Sequence, residues 1–511
     1  SEGGGGGGGG GEDYTSFPGS DVSSSDDSYY AAPGCDVAGG SDSYLMAEDA
    51  ASPAEVMSDA GETPPDEPPV ANPFVETAVE NTSTFSIDVD TASYTIMRMD
   101  LENGQLPDPD SVRVEEYVNY FDFYYPQPTD EHPFSINLDA APSRFGEGYD
   151  LLRIGLQGVE ISEAERKSAN LVFLVDVSGS MNKPSKLGLV KIFLTTLVDH
   201  LRPDDTLGIV VYAGTEAVLL EPTPVEETAA IKAAINGLGA GGSTAGAAGI
   251  NTAYQLAEGA KKPGGINRVI LCTDGDFNVG LTGPALIAKI EEYREKGVTL
   301  SVFGFGTSAY DDARMEQLAD NGNGNYGFID SEDEILKVIE DKLVGILQVI
   351  AKDVKIQIEF NVETVYAWRL LGYENRVMEN QDFTNDKKDA GEIGSGHNVT
   401  AFYELDMVPD APDGPLAEVR FRYKQPEGTE SIEIVRTFDT ADIAGTFDAA
   451  ASDLRFGAAV VEFAEILRLS EYSEGARFDE VLAVATAAGG LETDERTEFL
   501  DLVEIADSLW P

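Results

Sequence analysis

The spacing of apolar residues changes twice along the chain. At 84–90, apolar and polar residues alternate, as they do in strands that are buried on one face, and 134–138 and 151–156 are also predicted to be strands. Between 170 and 350 the strand-length runs are apolar throughout, and helical patterns lie between most of them. Alternation returns after Lys352, and helical spacing dominates from Asp448 to Leu509. The pattern therefore predicts an α/β unit between β-rich flanks, followed by helices.

The central stretch predicts a doubly wound, mostly parallel α/β domain. Continuously apolar strands are typical of parallel sheets that helices cover on both faces. The predicted strands are 171–175, 207–212, 269–272, 300–305 and 326–329, with a short edge strand at 217–220. The predicted helices are 187–201, 228–235, 245–258, 285–296, 313–320 and a closing helix at 335–350.

The flanks predict antiparallel strands and additional helices. Alternating strands at 354–360, 399–408, 417–423 and 432–438 indicate a sandwich, and two helices are expected near 91–103 and 109–121. Because strands occur on both sides of the α/β unit, we expect that unit to be inserted into, or flanked by, one β-domain. The predicted layout is a tail at 1–72, an N-terminal extension at 73–168, the α/β domain at 169–350, a β-sandwich-like region at 351–445 and a helical region at 446–511.

The first 72 residues predict a flexible tail or stalk. Gly3 to Gly11 is an unbroken glycine run, and the Ser-, Asp- and Pro-rich sequence after it has too few apolar residues to offset the entropy of ordering. Scattered tyrosines there are incidental or are anchors that dock on a partner. The chain starts at Ser1, which is typical of a processed secretory protein, so we expect an extracellular or cell-surface location. With two cysteines, no disulfide framework supports the fold, and Cys272 lies in an apolar run as an inert thiol.

The charge is strongly acidic. The chain has 92 Asp and Glu against 34 Lys and Arg, a formal net charge of -58. Such a surface repels nucleic acid and anionic membranes, so we expect neither as a partner. It is either a solvated surface for solubility or salty water, or a surface that needs Ca²⁺ to associate. No apolar run approaches the ~18 residues that a membrane span requires.

Oxygen-bearing side chains lie in three of the loops between the predicted elements. Asp176, Ser178 and Ser180 come directly after strand 171–175, and Asp274 follows strand 269–272. Between them, a glycine-rich loop at 239–244 ends in Thr244 before a predicted helix. Because ligands of doubly wound sheets bind beyond the carboxyl ends of the strands, these loops can reach the same edge. Carboxylate and hydroxyl oxygens are suitable ligands for a hard divalent cation such as Mg²⁺.

This constellation resembles the von Willebrand factor A domain and its metal-ion-dependent adhesion site. That family has the motif D-x-S-x-S, then a distant Thr and a distant Asp. The resemblance implies direct metal bonds from Ser178, Ser180 and Thr244 and a partly water-mediated role for Asp176 and Asp274. It also implies Mg²⁺, with Mn²⁺ or Ca²⁺ as alternatives, and one open position for an acidic side chain of a partner protein.

The flanking sequences resemble a bacterial subgroup of that family. The stretches are Phe85 to Tyr94 and Asp386 to His397. In the subgroup, a von Willebrand A domain lies between an N-terminal extension and a C-terminal domain of unknown function. The resemblance covers roughly residues 72–511 and supports the architecture more than it supports an activity.

Four functional hypotheses follow. The first is a secreted or surface-displayed adhesion module that binds protein through a divalent cation. The second is a structural subunit of an extracellular assembly or filament, with the tail docking on a neighbour. The third, an intracellular scaffold for an ATPase, fits poorly with the Gly-rich tail. The fourth is an enzyme such as a phosphatase or nuclease, but no nucleophile–base pair and no second metal cluster stand out, so we expect no catalytic activity.

Overall fold

The computed structural model describes residues 70–511, apart from residues 88, 147, 214, 242–246, 276–282, 307–311, 389 and 491–492. Residues 1–69 of the predicted tail therefore lie outside the described residues. The described chain forms a mixed α/β unit, a two-sheet β-sandwich and a layer of helices.

A six-stranded sheet lies at the centre of the α/β unit. Its strands are β5 (Ala169–Asp176), β6 (Thr206–Ala213), β7 (Thr215–Pro224), β8 (Ile266–Thr273), β9 (Thr299–Phe305) and β10 (Tyr326–Ile329). They are arranged in the order β10-β9-β8-β5-β6-β7, and all neighbours are parallel except β6 and β7. The predicted doubly wound, mostly parallel sheet is confirmed. The edge strand β7 is longer than the predicted 217–220 because its pairing with β6 continues across two irregularities in register.

Helices cover both faces of this sheet, as the apolar strands predict. The helices are α3 (Leu189–His200), α4 (Thr228–Gly237), α5 (Ala247–Gly259), α6 (Pro284–Glu295), α7 (Asp312–Asn321), α8 (Glu332–Leu336) and α9 (Leu343–Leu347). On β5, Phe173 and Val175 pack with the α3 side, whereas Val172 and Leu174 pack with the α5 side. Alternate residues of one strand thus enter two separate cores, which explains why no polar face shows in the sequence.

The closing helix predicted at 335–350 is wrong in its extent. The chain there forms α8, a π-helical turn at Lys337–Asp341 and the short α9, and a strand begins at Val349. Apolar residues at helical spacing continue through the whole stretch, with Ile335, Ile339 and Ile346 all buried. The pattern therefore cannot indicate where the helix widens into a π turn or where the strand takes over.

Two antiparallel sheets form the sandwich, and each contains strands from before and after the α/β unit. The strands are β1 (Val75–Glu76), β2 (Thr82–Ser86), β3 (Phe134–Pro142), β4 (Tyr149–Gly158), β11 (Val349–Phe360), β12 (Val365–Leu371), β13 (Ile393–Gly394), β14 (Asn398–Met407), β15 (Pro415–Lys424) and β16 (Ser431–Asp439). One sheet has the order β1-β12-β14-β4-β3, and in the other β13, β11, β15 and β16 follow one another while β2 pairs with β11. The pairings β4–β14 and β2–β11 agree with the interpretation of one β-domain around the α/β unit.

The remaining helices pack on one side of the sandwich and on the α/β unit. They are α1 (Ala92–Glu102), α2 (Val114–Asn119), α10 (Ser452–Leu467), α11 (Phe478–Ala488) and α12 (Asp494–Leu509). Helix α1 joins two cores, because Tyr94 packs with the C-terminal helices and Met99 packs with the central sheet. None of the described helices is both long and apolar enough to cross a bilayer.

Candidate metal and ligand site at the carboxyl edge of the central sheet

Two carboxylates lie at the carboxyl ends of neighbouring parallel strands. Asp176 ends β5, and Asp274 follows the last residue of β8. In the register of these strands Val175 lies opposite Cys272, so the two aspartates leave the sheet side by side. Strand β6 lies on the other side of β5, and β8 is entered only after the chain has crossed back. The pair therefore lies where the strand order reverses, which is the usual ligand position in such sheets.

The hydroxyls of the D-x-S-x-S stretch converge on this position. The Ser178 backbone N–H donates to Asp176 Oδ1 at 2.7 Å, which turns the chain back over the strand end. The Oγ atoms of Ser178 and Ser180 lie 2.9 Å apart. Ser178 is buried and Ser180 is exposed, so this pair of hydroxyls extends from the buried carboxylates to the surface.

Each carboxylate keeps one oxygen without a hydrogen-bonding partner. These atoms are Asp176 Oδ2 and Asp274 Oδ1, and both are buried. Burial raises the pKa of Asp176 to about 6, although hydrogen bonds from Ser178 lower it, and the Asp274 carboxylate adds to the rise. A buried carboxylate oxygen without a partner is costly, so a cation at this position would stabilise both groups.

A lysine holds the other oxygen of Asp274. The Lys186 ammonium donates to Asp274 Oδ2 at 2.7 Å, and the two side chains are 10% and 2% exposed. Lys186 lies in the π-helical turn Pro184–Gly188, and its stem packs on Gly306, where an added Cβ would come within 3.0 Å of Lys186 Cε. One cationic group therefore already occupies part of the space between the loops.

The sequence reasoning missed Lys186 and also Tyr212. Tyr212 lies near the end of β6, and its buried side chain is close enough to Asp176 for that carboxylate to contribute to the rise of its pKa, after burial. The signal for Tyr212 was its position near the end of the predicted strand 207–212. No sequence signal indicated Lys186. It lies ten residues after Asp176, and its contact with Asp274 depends on the geometry of the intervening turn.

The glycine-rich loop reaches the same edge at its described end. The Gly241 backbone N–H donates to the Val177 carbonyl at 2.8 Å, next to the D-x-S-x-S stretch. Thr244, the remaining predicted ligand, lies outside the described residues. The structure thus brings together Asp176, Ser178, Ser180 and Asp274.

The oxygen atoms at this site are the kind of ligand that a hard cation prefers. Within the described ranges, no group of three or more His, Cys, Asp or Glu side chains could hold a metal ion. The site instead combines two carboxylates with two hydroxyls, and such oxygen donors suit Mg²⁺, which keeps several waters. The two unpartnered carboxylate oxygens are the positions that a cation would satisfy.

Family models match three parts of the chain. Residues 170–342 match the model "von Willebrand factor type A domain", residues 67–153 match "von Willebrand factor", and residues 345–509 match "Uncharacterized protein YfbK, C-terminal". The chain is 40% identical over 465 residues to the uncharacterized protein YfbK of Escherichia coli (strain K12), covering 86% of this chain and 80% of that protein.

Other similarities are confined to a smaller share of the chain or to the fold. Human inter-alpha-trypsin inhibitor heavy chain H4 is 33% identical over 165 residues, which is 30% of this chain and 17% of that protein. Among solved structures, a von Willebrand factor type A protein from Catenulispora acidiphila matches 75% of this chain and 98% of its own chain, with 15% identity and a TM-score of 0.42.

Proposed function

The chain belongs to the family of the Escherichia coli protein YfbK, and from this premise we propose that it is a secreted or cell-surface protein that binds a protein ligand through a divalent cation. Its residues 170–342 form a von Willebrand factor type A domain, a class of domain that in general serves protein–protein interaction or adhesion. The metal dependence, the location and the partner are the proposed part.

One observation carries the proposal. Asp176 and Asp274 end adjacent parallel strands, and each presents a buried oxygen without a partner beside the hydroxyls of Ser178 and Ser180. In most proteins, both oxygens of a buried carboxylate have hydrogen-bonding partners. Two buried carboxylate oxygens without partners at one edge of the sheet are therefore better explained by a cation site.

The residues have distinct roles in this proposal. Ser178, Ser180 and Thr244 would bind Mg²⁺ directly, and Asp176 and Asp274 would hold it partly through water. The cation supplies a positive centre to which a carboxylate of the partner can bind. Ser180 is exposed, so the partner approaches from its side. The net charge of -58 opposes an acidic partner at long range, but salt screens that repulsion over ~8 Å.

The contacts of the three described histidines do not support a catalytic role for them. His132 Nδ1 bonds with the Tyr423 hydroxyl at 3.0 Å, and His200 Nδ1 lies 2.8 Å from the Thr196 carbonyl oxygen. His397 is partly buried, and the resulting loss of solvation lowers its pKa to about 4. None of these three side chains is hydrogen-bonded to a serine, threonine or cysteine side chain of the described residues, and we propose a binding protein and not an enzyme.

The direct test is the affinity for Mg²⁺ and Mn²⁺ by isothermal titration calorimetry. We expect Asp176→Ala to abolish binding and Ser178→Ala to weaken it by at least about tenfold, because each loses an oxygen at the cation. Ser185→Ala is the matched control, since Ser185 lies in the next turn and is not a proposed ligand. Circular dichroism checks that the variants are folded. Unchanged affinity in folded Asp176→Ala contradicts the proposal.

A second candidate is a structural subunit of a surface assembly. Its support is the first 69 residues, which combine a glycine run and several tyrosines with no Lys, Arg or His. Size-exclusion chromatography of the full chain, with and without EDTA, separates the candidates. The assembly role is favoured if the full chain self-assembles in the presence of EDTA and if deletion of residues 1–69 abolishes that self-assembly. A monomer that captures a partner only with Mg²⁺ favours adhesion.

A further inference from the structure

A cavity of about 360 Å³ lies between the α/β unit and the β-sandwich, near the amino ends of β8 and β10 and away from the carboxyl edge that carries Asp176 and Asp274. Its lining includes Arg268 near the start of β8, the turn before β10, and parts of the segment between β12 and β14. A volume of this size falls at the lower end of the range for small-molecule sites, roughly 300–1,000 Å³.

The walls carry equal numbers of basic and acidic side chains, four of each, in a chain with 92 acidic and 34 basic residues. Two of the four carboxylates, Asp90 and Asp320, are within ion-pair distance of Arg376 at 3.7 and 2.7 Å. The cavity wall is therefore much less negative than the chain as a whole, so it opposes an anion less than the rest of the protein does.

Arg268 is the residue that points to a ligand. Its side chain lines the cavity and the residue is 2% exposed, yet no described carboxylate forms an ion pair with it. Nη1 donates to Ser301 Oγ at 2.5 Å and to Asn325 Oδ1 at 3.3 Å, whereas Nε has no partner. Burial lowers the pKa of Arg268 to about 10, and Glu392 is close enough to oppose that change. A buried guanidinium with neutral partners alone is an uncompensated charge.

Glu392 lies on the same wall but is engaged elsewhere. Its Oε1 accepts a hydrogen bond from Asn323 Nδ2, and Asn323 Oδ1 accepts from Arg294 at 3.0 Å. These contacts hold the Glu392 carboxylate in the cavity wall, where its negative charge repels an anion. Glu392 does not form an ion pair with Arg268, so it does not neutralise that guanidinium by direct contact.

We propose that this cavity binds a small oxyanion, carrying carboxylate or phosphate oxygens, with the Arg268 guanidinium as its principal partner. The forked N–H groups of arginine match two oxygens of such an anion. Arg294 and Lys387 add positive charge at the wall, and the side chains of Asn323 and Asn325 add polar groups. The bound anion contacts both the α/β unit and the sandwich, so it stabilises their association.

The test measures anion binding to the full chain by calorimetry and thermal unfolding, with acetate, succinate and inorganic phosphate as probes and chloride at matched ionic strength as the reference. We expect at least one probe to bind and to raise the unfolding temperature above that in chloride. Arg268→Met should weaken that binding by at least about tenfold. Glu392→Gln should tighten it by about threefold, because it removes a competing charge.

The controls are Arg477→Met and Glu474→Gln, at two exposed residues that do not line the cavity. Each control changes the net charge by the same amount as the cavity variant that it is compared with. Acetate or succinate binding identifies a carboxylate site, and phosphate binding identifies a phosphate site. If Arg268→Met does not fold, Glu392→Gln alone decides. The proposal is overturned if no probe binds better than chloride, or if Glu392→Gln and its control respond equally.

Discussion

Lys186 already places a positive charge against Asp274, so it competes with the proposed cation for that carboxylate. We predict that Lys186→Met raises the affinity for Mg²⁺ by about tenfold, because one positive charge near the cation is removed. Without Mg²⁺ the same variant should be less stable, since a buried carboxylate loses its partner. Calorimetry and thermal unfolding in EDTA measure the two effects.

The control for this prediction is Lys183→Met, which removes an exposed lysine from the same stretch. Equal Mg²⁺ affinity of wild type and Lys186→Met would show that the ammonium does not oppose the cation. Wild-type binding of Mg²⁺ tests the proposed function separately, so the two ideas fail independently.

At the residue scale, the sequence predicted those members of the site whose position follows from a strand end. Asp176 and Asp274 each come directly after an apolar run, and parallel strands bring their carboxyl ends to one edge. Lys186 could not be predicted, because its contact with Asp274 depends on a π-helical turn. Thr244 lies outside the described residues and stays a prediction.

Helix α10 packs on the sandwich through a buried group of charged residues. Arg369 on β12 pairs with Glu404 on β14 at 2.6 Å and with Glu465 on α10 at 3.2 Å. Glu462, one turn before Glu465, is also buried. Burial first, and then the charges of Glu465 and Glu404, raise the pKa of Glu462 to about 8, although Arg369 lowers it.

This raised pKa predicts a pH dependence of stability. Between the ordinary value of 4.5 and about 8, the folded chain keeps a proton on Glu462 that the unfolded chain has released. The free energy of unfolding therefore falls as pH rises through this window, by up to about 1.4 kcal/mol per pH unit from this group. We expect Glu462→Gln to remove this slope in denaturant unfolding between pH 5 and 8. The exposed Glu471→Gln is the control, and a slope that persists in Glu462→Gln contradicts the assignment.

At the element scale, prediction failed where burial hides the period. Strand β12, Val365–Leu371, was not predicted, because all its residues except Tyr366 are buried and the stretch shows no alternation. The strands β15 and β16 were predicted, since in both of them buried residues mark one face. Strand β14 was predicted as well, although its residues 399–405 are all buried, because polar and apolar residues alternate through most of its sequence. In the flanks, a strand was therefore recognised where its sequence alternates, and β12 was missed because its sequence does not.

The whole molecule carries a net charge of -58, and mutual repulsion of these charges opposes the compact state. We predict that the unfolding temperature rises by several degrees between 10 and 500 mM NaCl, about the range over which the Debye length falls from ~30 Å to a few ångströms. KCl serves as the control for a specific effect of sodium. An unfolding temperature that is independent of salt would show that the repulsion is already offset in the fold.

The interleaved sheets predict how truncation acts on the molecule. Removing residues 349–511 deletes β11 and β14, the partners of β2 and β4. We expect limited proteolysis of the remaining chain to cut rapidly between residues 70 and 168, while the central sheet resists because all its strands are retained. The full chain is the control, and equal resistance of residues 70–168 in both would contradict the assigned pairing.

At the same scale, composition and pattern identified the fold class and the antiparallel flanks. They predicted that the edge strand at 217–220 pairs with the strand before it, which is confirmed, but not which strands of the two flanks pair with each other. The pairing β4–β14 depends on side chains that meet only after the α/β unit has brought Leu156 and Val399 to opposite positions. Such long-range pairing leaves no local trace in the order of residues.

Because of the same pairing, β4 is synthesised on the ribosome well before its partner strand β14. Gln157 on β4 and Asn398 on β14 bond at 3.0 Å although they are 241 residues apart. At about 5–20 residues per second, the free edge of β4 emerges roughly 12–48 s before its partner is translated. Throughout this interval the unpaired edge of β4 can pair with other chains, so residues 134–158 are the part of the nascent chain most in need of protection from aggregation.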